Sequence, residues 1–127
     1  MKLLLDTHAF LWFFDNPDKL STPVRTALAD PANACFLSVV SVWEIQIKTG
    51  LGKLSLSQPI EDAITQSASD GLQILPTDLN HVFGLAKLPD HHRDPFDRLL
   101  IAQALFEGLT LVTKDEKIQR YTCETVW

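Results

Sequence analysis

The sequence predicts an α/β protein with a parallel sheet of about five strands and helices on both of its faces. Short apolar runs alternate with longer helix-like stretches along the chain, which is typical of strands joined by helical crossovers. Such crossovers are right-handed in nearly all proteins, and this handedness places helices on both faces of the sheet. The 127 residues suit a single domain that spans residues 1–127.

The first part of the chain divides at residues that start or stop helices. Pro23 stands near a helix start, Ser41 can cap a later helix, and Gly50 can end it. The predicted elements are, in order, strand Lys2–Leu5, helix Thr7–Phe14, a helix between Pro23 and Asp30, strand Cys35–Leu37 and helix Val42–Lys48.

The second part follows the same logic, with prolines at helix starts and glycines after helix ends. Pro59 and Pro95 open helices that Gly71 and Gly108 terminate. The predicted elements are helix Ile60–Ser69, strand Leu72–Leu75, a short helix from Thr77 or Asp78 to Ala86, loop Leu88–Arg93, helix Pro95–Phe106, strand Leu109–Val112 and a short fifth strand within Thr122–Val126.

The composition argues against a membrane protein and against a disulfide or zinc scaffold. No apolar run approaches the ~20 residues that cross a bilayer. The apolar N-terminus stops at Asp6 without the small-residue cleavage site of a secretory signal. Cys35 and Cys123 lie far apart and outside any C-x-x-C pair, so we expect free thiols in a reducing compartment. We therefore expect a cytoplasmic protein without a membrane partner.

The net charge of −5 is unusual for a protein that binds nucleic acid, because such proteins normally carry a positive footprint. Four acidic side chains around a metal ion would change this balance. If those four are set aside, 12 of the 16 acidic residues remain, and they nearly balance the 11 basic residues. The net charge therefore neither supports nor excludes binding to RNA.

Four carboxylates lie just after predicted strands or in the first turns of the helices that follow. Asp6 ends the first strand and Asp115 follows the fourth, while Glu44 and Asp97 lie in first helical turns. Ligands bind beyond the carboxyl ends of strands in open parallel sheets, so these side chains can converge. Crowded carboxylates repel one another, and a hard cation with oxygen ligands, Mg²⁺ or Mn²⁺, removes that repulsion. Such an ion can bind a phosphodiester oxygen and lower the pKa of water.

Each of these residues also has a purely structural interpretation. Asp6 can cap the first helix, Asp97 can interact with the positive end of its helix, and Asp115 can close a turn. Ser41 and Glu44 form the S-x-x-E pattern of a capping box, and spacing alone favours that role for Glu44. Only the joint position of the four carboxylates favours a metal site.

Four segments resemble motifs of the PIN-domain family, and more specifically of VapC-type toxins from bacterial toxin–antitoxin pairs. The segments follow the order of the family and together span nearly the whole chain. Each motif alone is weak, whereas the set is specific. The segments are Leu3–His8 (LLLDTH), Ser38–Ile45 (SVVSVWEI), His92–Ala104 (HRDPFDRLLIAQA) and Leu111–Asp115 (LVTKD).

The resemblance implies a three-layer α/β/α sandwich with a central parallel sheet and an acidic metal site. Family members hydrolyse RNA phosphodiester bonds with Mg²⁺ and leave a 5′-phosphate and a 3′-hydroxyl. VapC-like toxins typically cleave tRNA or ribosomal RNA and so stop translation. They usually form homodimers, and a cognate VapB-like antitoxin inhibits them by placing a basic side chain in the acidic pocket. The metal-binding and catalytic residues carried over by the resemblance are Asp6, Glu44, Asp97 and Asp115.

Several other side chains are candidates for supporting the site or binding RNA. Asp94 either assists the carboxylates or only caps its helix, and Thr113 is expected to orient Asp115 through its hydroxyl. Arg98 is expected to pair with a carboxylate or to contact an RNA phosphate. Candidate phosphate contacts, most of which we expect to be simply solvated, are Lys48, Lys53, Arg93, Lys114, Lys117 and Arg120.

Histidine and tryptophan side chains receive structural interpretations. The adjacent His91 and His92 could be a metal-binding pair, but neighbours in a loop rarely reach one ion together and the carboxylates already supply ligands. We therefore expect them in a loop near the site, where they can touch RNA. Trp12 and Trp43 are expected to pack in the core or in a dimer contact rather than to stack on bases, and Trp127 is expected to pack against the fold.

Three other functions compete with an RNA nuclease. A receiver-like phosphoacceptor domain usually carries paired acidic residues after its first strand, and Asp6-Thr7 does not fit that pattern. A non-catalytic PIN-like binding module is disfavoured because the four carboxylates are intact. A metal-dependent DNA nuclease stays open, since the metal chemistry does not require a 2′-hydroxyl.

Overall fold

The structure is a computed structural model that describes residues 1–127, and it confirms a parallel sheet of five strands. The spatial order of the strands is β3-β2-β1-β4-β5, and every neighbouring pair is parallel. The strands are β1 (Lys2–Leu5), β2 (Ala34–Ser38), β3 (Leu72–Leu75), β4 (Thr110–Val112) and β5 (Thr125–Val126).

Six α-helices connect these strands, together with three short 3₁₀ turns at Pro17–Lys19, Leu85–Lys87 and Ile118–Arg120. No helix combines the length and the apolar character that crossing a membrane requires. The helices are α1 (Thr7–Asp15), α2 (Thr22–Ala29), α3 (Val39–Gly50), α4 (Ile60–Ser69), α5 (Leu79–Gly84) and α6 (Pro95–Glu107).

Two separate hydrophobic cores lie on the two faces of the sheet, as the α/β/α prediction requires. Side chains alternate between faces along a strand. Leu3 and Leu5 of β1 therefore pack in one core with Phe10 of α1, whereas Leu4 packs in the other core with Leu100 of α6. This burial on both faces explains why the strands are almost uniformly apolar.

The sheet changes its direction of growth between β1 and β4. From β1 the chain builds outward through β2 and β3, and then it returns to add β4 on the other side of β1. The backbone N–H of Asp6 donates to the carbonyl of Val112 (3.1 Å) and joins the two carboxyl ends. Loops diverge at such a switch point and leave a crevice, which is where parallel sheets bind ligands.

The prediction for the start of α3 is wrong. The helix begins at Val39 rather than Val42, and its cap is Ser38, whose hydroxyl accepts from the N–H of Val40 at 3.0 Å. Ser41 instead lies buried within the helix, so it forms no capping box with Glu44. Glu44 consequently lies in the second turn of α3 and not in the first.

Other predicted boundaries differ from the structure by smaller amounts. The helix expected to run to Ala86 ends at Gly84 and continues as a 3₁₀ turn, and β5 contains only Thr125 and Val126. The expectation that Trp43 packs in the core is also wrong, because the side chain is 56% exposed. One edge of the side chain is covered by Phe96 of α6, whose ring centroid lies 5.0 Å from that of Trp43.

Candidate active site

The four carboxylates carried over by the family resemblance come together at the switch point of the sheet. Asp6, Glu44, Asp97 and Asp115 all line one cavity of about 410 Å³. Two further acidic residues and two lysines line the cavity as well. The acidic residues are Asp94 and Glu116, the lysines are Lys48 and Lys114, and the other lining residues are His8, Ala9, Trp12 and Trp127.

Asp6 both caps α1 and lines the cavity. It is the N-cap of α1, and its Oδ1 accepts from the N–H of Ala9 at 2.7 Å. Burial raises the pKa of Asp6, while hydrogen bonds from the Thr113 hydroxyl and from Ala9 act in the opposite direction. Helix capping and a place in the cavity are therefore compatible, since a carboxylate has several lone pairs.

Both oxygens of Glu44 have a fixed partner although the side chain is buried. The hydroxyl of Thr7 lies 2.6 Å from Oε1, and the amine of Lys48, one turn further along α3, lies 2.5 Å from Oε2. The hydrogen bond to Glu44 is the main reason that the pKa of Lys48 is raised. These contacts hold the carboxylate of Glu44 toward the cavity rather than toward its own helix terminus.

Asp94 and Asp97 share the start of α6 but have different surroundings. Asp94 caps the helix by accepting from the N–H groups of Phe96 (2.8 Å) and Asp97 (3.2 Å). Asp97 projects into the cavity, where burial and the neighbouring carboxylates raise its pKa to about 8. Among those carboxylates Asp94 has the largest effect, followed by Glu44. In the absence of a cation, Asp97 therefore keeps its proton at neutral pH.

Asp115 is held in the turn after β4 by backbone contacts. Its N–H donates to the hydroxyl of Thr113 (3.0 Å), and its Oδ1 accepts from the N–H of Lys117 (2.8 Å). Burial acts to raise the pKa of Asp115, but hydrogen bonds from His92 and Lys117 outweigh it, so the pKa lies below the usual value. Thr113 thus contacts the backbone of Asp115 and not its carboxylate.

Sequence reasoning placed His92 in a loop near the site but missed that its side chain contacts two of the carboxylates. Its Nε2 lies 2.9 Å from Oδ2 of Asp115 and 3.0 Å from Oδ2 of Asp97. Its Nδ1 accepts from the backbone N–H of Asp94 at 3.1 Å. Because Nδ1 is an acceptor, the proton of neutral His92 must lie on Nε2, which makes this atom a donor to the carboxylates. A metal-binding role for paired histidines is not favoured, since His91 is exposed in the loop.

Arg98 pairs with a carboxylate, which is one of its two expected roles, but that carboxylate does not line the cavity. Its guanidinium points away from the acidic cavity, and its nearest carboxylate is the exposed Asp90 at 3.7 Å. It stabilises the loop before α6 instead, because it donates to Tyr121 Oη and to the carbonyls of Leu85, Pro89 and His92. Arg93 is exposed and does not line the cavity, whereas Lys114 does.

The chemistry of the donor set fits a hard divalent cation. The cavity supplies several carboxylate oxygens, and Asp97 keeps a proton because it is buried and because its neighbours are also negative. A cation among these oxygens would displace that proton and would let all the carboxylates ionise together. Oxygen donors of this kind favour Mg²⁺ or Mn²⁺ over softer metals.

The fold and the cavity define an α/β protein with an acidic site at the switch point of a parallel sheet. A family model described as "PIN domain" matches residues 3–122, and the chain belongs to this family. The chain is also 27% identical to Ribonuclease VapC22 from Mycobacterium tuberculosis over 128 residues, a match that covers 98% of each chain.

Solved structures of VapBC complexes share the fold. VapBC2 from Rickettsia felis, bound to a DNA fragment from its promoter, superposes with a TM-score of 0.71 at 20% identity, covering 99% of this chain and 98% of that chain. DNA-bound VapBC from Salmonella typhimurium gives a TM-score of 0.73 at 16% identity, with coverages of 99% and 97%. At these identities the likeness shows the fold, and it confirms the predicted α/β/α sandwich.

Proposed function

We propose that this protein is a VapC-type endoribonuclease that hydrolyses RNA phosphodiester bonds with Mg²⁺, or alternatively Mn²⁺, as its cofactor. The observation that carries the proposal is the convergence of Asp6, Glu44, Asp97 and Asp115 on one cavity. The raised pKa of Asp97 adds to it, because the cavity holds more potential negative charge than it can ionise without a cation. The relative named as a ribonuclease, VapC22, supports RNA as the substrate.

In this proposal the four carboxylates would hold the ion, and the remaining residues of the site would position them. When bound, the ion supplies Lewis-acid stabilisation of the phosphodiester and a more acidic water. Thr7 and Lys48 hold Glu44 by its two oxygens, and Thr113 fixes the turn that carries Asp115. No serine or cysteine nucleophile is required.

We also propose a VapB-like antitoxin as the partner, because solved structures of VapBC complexes share this fold. A cavity lined by six acidic residues and two lysines would attract a basic side chain from such a partner. Homodimer formation is part of the proposal as well. It has support from exposed apolar side chains on α5 and α6, namely Leu79, Val82, Phe83, Leu105 and Phe106.

A test of the function uses purified protein and end-labelled RNA. We expect cleavage in millimolar Mg²⁺, no cleavage in EDTA, and none with folded Asp6→Asn or Asp97→Asn. Asparagine keeps the capping oxygen at position 6, so the first variant should retain α1. Cleavage in EDTA, or wild-type rates in either variant, would contradict the proposed site.

Expression of the chain from an inducible promoter in bacteria tests the cellular role. We propose that it cleaves tRNA or ribosomal RNA in the cytoplasm and thereby inhibits translation, so growth should stop and mapped RNA ends should carry 5′-phosphates. A DNA oligonucleotide of the same sequence tests the DNA nuclease that the sequence left open. Binding of RNA without cleavage would indicate a non-catalytic module.

A further inference from the structure

The acidic cavity has an aromatic side that the metal chemistry does not use. Trp12 of α1 and Trp127 at the C-terminus line the same cavity as Asp6 and Asp97. Their rings lie 5.6 Å apart between centroids and are tilted by 60°. Both side chains are only partly buried, so they are open to the cavity and also packed against the edge of a core.

Two lysine amines lie beside these rings. The Nζ atoms of Lys19 and Lys114 are each 6.0 Å from the centroid of the Trp12 ring, at the outer limit of a cation–π contact. Neither amine forms a salt bridge with a carboxylate. We call the set of Trp12, Trp127, Lys19 and Lys114 the indole rim.

An acidic protein needs contacts of this kind if it binds RNA. The net charge is −5 and the cavity contains six acidic side chains, so long-range attraction of a polyanion is absent. Stacking of bases on aromatic rings supplies affinity that does not depend on net charge, typically about tenfold per base. Lysines without a carboxylate partner can then bind the phosphates next to the stacked base.

The helix α1 sets the distance between the rim and the carboxylates. Asp6 caps this helix and Trp12 belongs to its second turn, so a rigid element connects the two. A base on the rim would therefore belong to a nucleotide close to the phosphate that reaches the carboxylates. Only an unpaired base exposes the face that stacking requires.

Resting on the proposed ribonuclease function, we propose that the indole rim is a nucleotide subsite that stacks one unpaired base beside the scissile phosphate. Trp12 provides the stacking surface, Trp127 supports it, and the two lysines bind flanking phosphates. The subsite makes single-stranded segments, such as RNA loops, the preferred substrates over continuous duplex.

Fluorescence and kinetics of Trp12→Leu test the subsite. Leucine keeps an apolar contact with the core but removes the ring. With a short single-stranded RNA bound to the uncleaving Asp97→Asn protein, we expect tryptophan emission to be quenched, and we expect Trp12→Leu to abolish most of the quenching. In the otherwise wild-type protein, Trp12→Leu should raise KM about tenfold and change kcat less than twofold.

Trp43→Phe is the matched control, because Trp43 is an exposed tryptophan on α3 that does not line the cavity. It should leave both KM and the quenching near their wild-type values. A second measurement uses RNAs with one abasic nucleotide at successive positions. At one position, the missing base should raise the KM of the wild type about tenfold. The same abasic RNA should leave the KM of Trp12→Leu almost unchanged, since that variant lacks the ring on which the base would stack.

The outcomes separate the subsite from the ribonuclease function. If wild-type protein cleaves RNA and Trp12→Leu has an unchanged KM, the subsite is wrong and the function stands. If no RNA is cleaved but single-stranded RNA quenches Trp12, the subsite stands and the function fails. Equal affinity for duplex and single strand would also overturn the subsite. If Trp12→Leu does not fold, Trp127→Leu and Lys114→Gln provide the same comparison, and unchanged KM in both overturns the proposal.

Discussion

The Nε2 of His92 lies 2.9 Å from Oδ2 of Asp115, and this contact ties the loop before α6 to the turn after β4. The same Nε2 lies 3.0 Å from Oδ2 of Asp97. The N–H of Asp94 occupies Nδ1 and so fixes which nitrogen carries the proton. The ligand atom of His92 lies within 4.8 Å of those of Asp97 and Asp115, so the three side chains form a group that could hold an ion once Nε2 has lost its proton. With the proton on Nε2, we predict that His92 acts as a positioning residue that holds the two carboxylates close together.

We predict that His92→Leu weakens Mn²⁺ binding by about 10-fold to 100-fold, the usual effect of losing a group that orients metal ligands. Without the imidazole, Asp97 and Asp115 lose a shared hydrogen-bond donor and are no longer held close together. His92→Gln places an amide N–H near the position of Nε2, so it should retain much of the affinity. Isothermal titration calorimetry with Mn²⁺ measures both variants.

His91→Leu is the control for this comparison, because the neighbouring His91 is exposed and does not line the cavity. Its Mn²⁺ affinity should equal that of the wild type. Equal affinities for His92→Leu and His91→Leu would show that the imidazole does not position the carboxylates.

A second prediction concerns Asp97→Asn. The pKa of Asp97 is raised to about 8, so the folded apoprotein already carries a neutral side chain at pH 7. Asparagine resembles that protonated form, and it removes the cost of keeping a carboxyl neutral among negative charges. We expect the variant to be as stable as wild type or more stable in EDTA, as measured by urea unfolding at pH 7.

The same variant should lose the stabilisation that a bound ion provides. Millimolar Mg²⁺ should raise the Tm of the wild type, because ligands that bind only the folded state stabilise it. For Asp97→Asn the increase should be much smaller. A variant that is strongly destabilised in EDTA, or one that keeps the full Mg²⁺ effect, would show that Asp97 has a different environment.

The sheet is well predicted from the sequence because buried strands appear there as short apolar runs. Strands covered on both faces must be apolar, and this makes the three leucines of Lys2–Leu5 and the apolar pair that ends Thr110–Val112 recognisable without any other information. Asp6 and Asp115 follow such runs, so their place at the carboxyl edge is also predictable. The particular set of four carboxylates, however, required the family resemblance.

Prediction from the sequence fails where the role of a residue depends on contacts with residues far along the chain. Ser38 and Ser41 are equally good caps by composition, and the choice of Ser38 follows from the sheet register that extends β2 to that residue. His92 lies in a loop without periodicity, so nothing local indicates that the chain folds it onto Asp115.

A third prediction concerns the buried hydroxyl of Thr7. It lies 2.6 Å from Oε1 of Glu44 and 3.0 Å from the hydroxyl of Ser41. Thr7→Val keeps the shape of the side chain but leaves a buried carboxylate oxygen without its donor, which costs about 1–3 kcal/mol. We expect the free energy of unfolding to fall by about this amount, while Thr7→Ser, which keeps the hydroxyl, should lose less. Unfolding in urea distinguishes the two, and equal losses would mean that packing, and not the hydrogen bond, decides.

The last prediction is the effect of pH on stability without metal. The unfolded chain releases the proton of Asp97 near pH 3.9, whereas the folded protein holds it until about pH 8. Between these values unfolding releases a proton, so the free energy of unfolding falls as the pH rises. The raised pKa of Asp6 acts in the same direction, and the lowered pKa of Asp115 acts only at more acidic pH.

Thermal unfolding in EDTA between pH 5 and pH 8 measures this effect against Asp97→Asn as the control. The Tm of the wild type should decline more steeply with pH than that of the variant, because the variant has no proton to release at this position. Mg²⁺ should remove the steeper decline of the wild type. A bound cation stabilises the ionised carboxylates, so it should raise the Tm of the wild type more at pH 8 than at pH 6. Parallel pH profiles for the two proteins in EDTA would mean that Asp97 ionises normally, and the electrostatic case for a cation in this cavity would then fail.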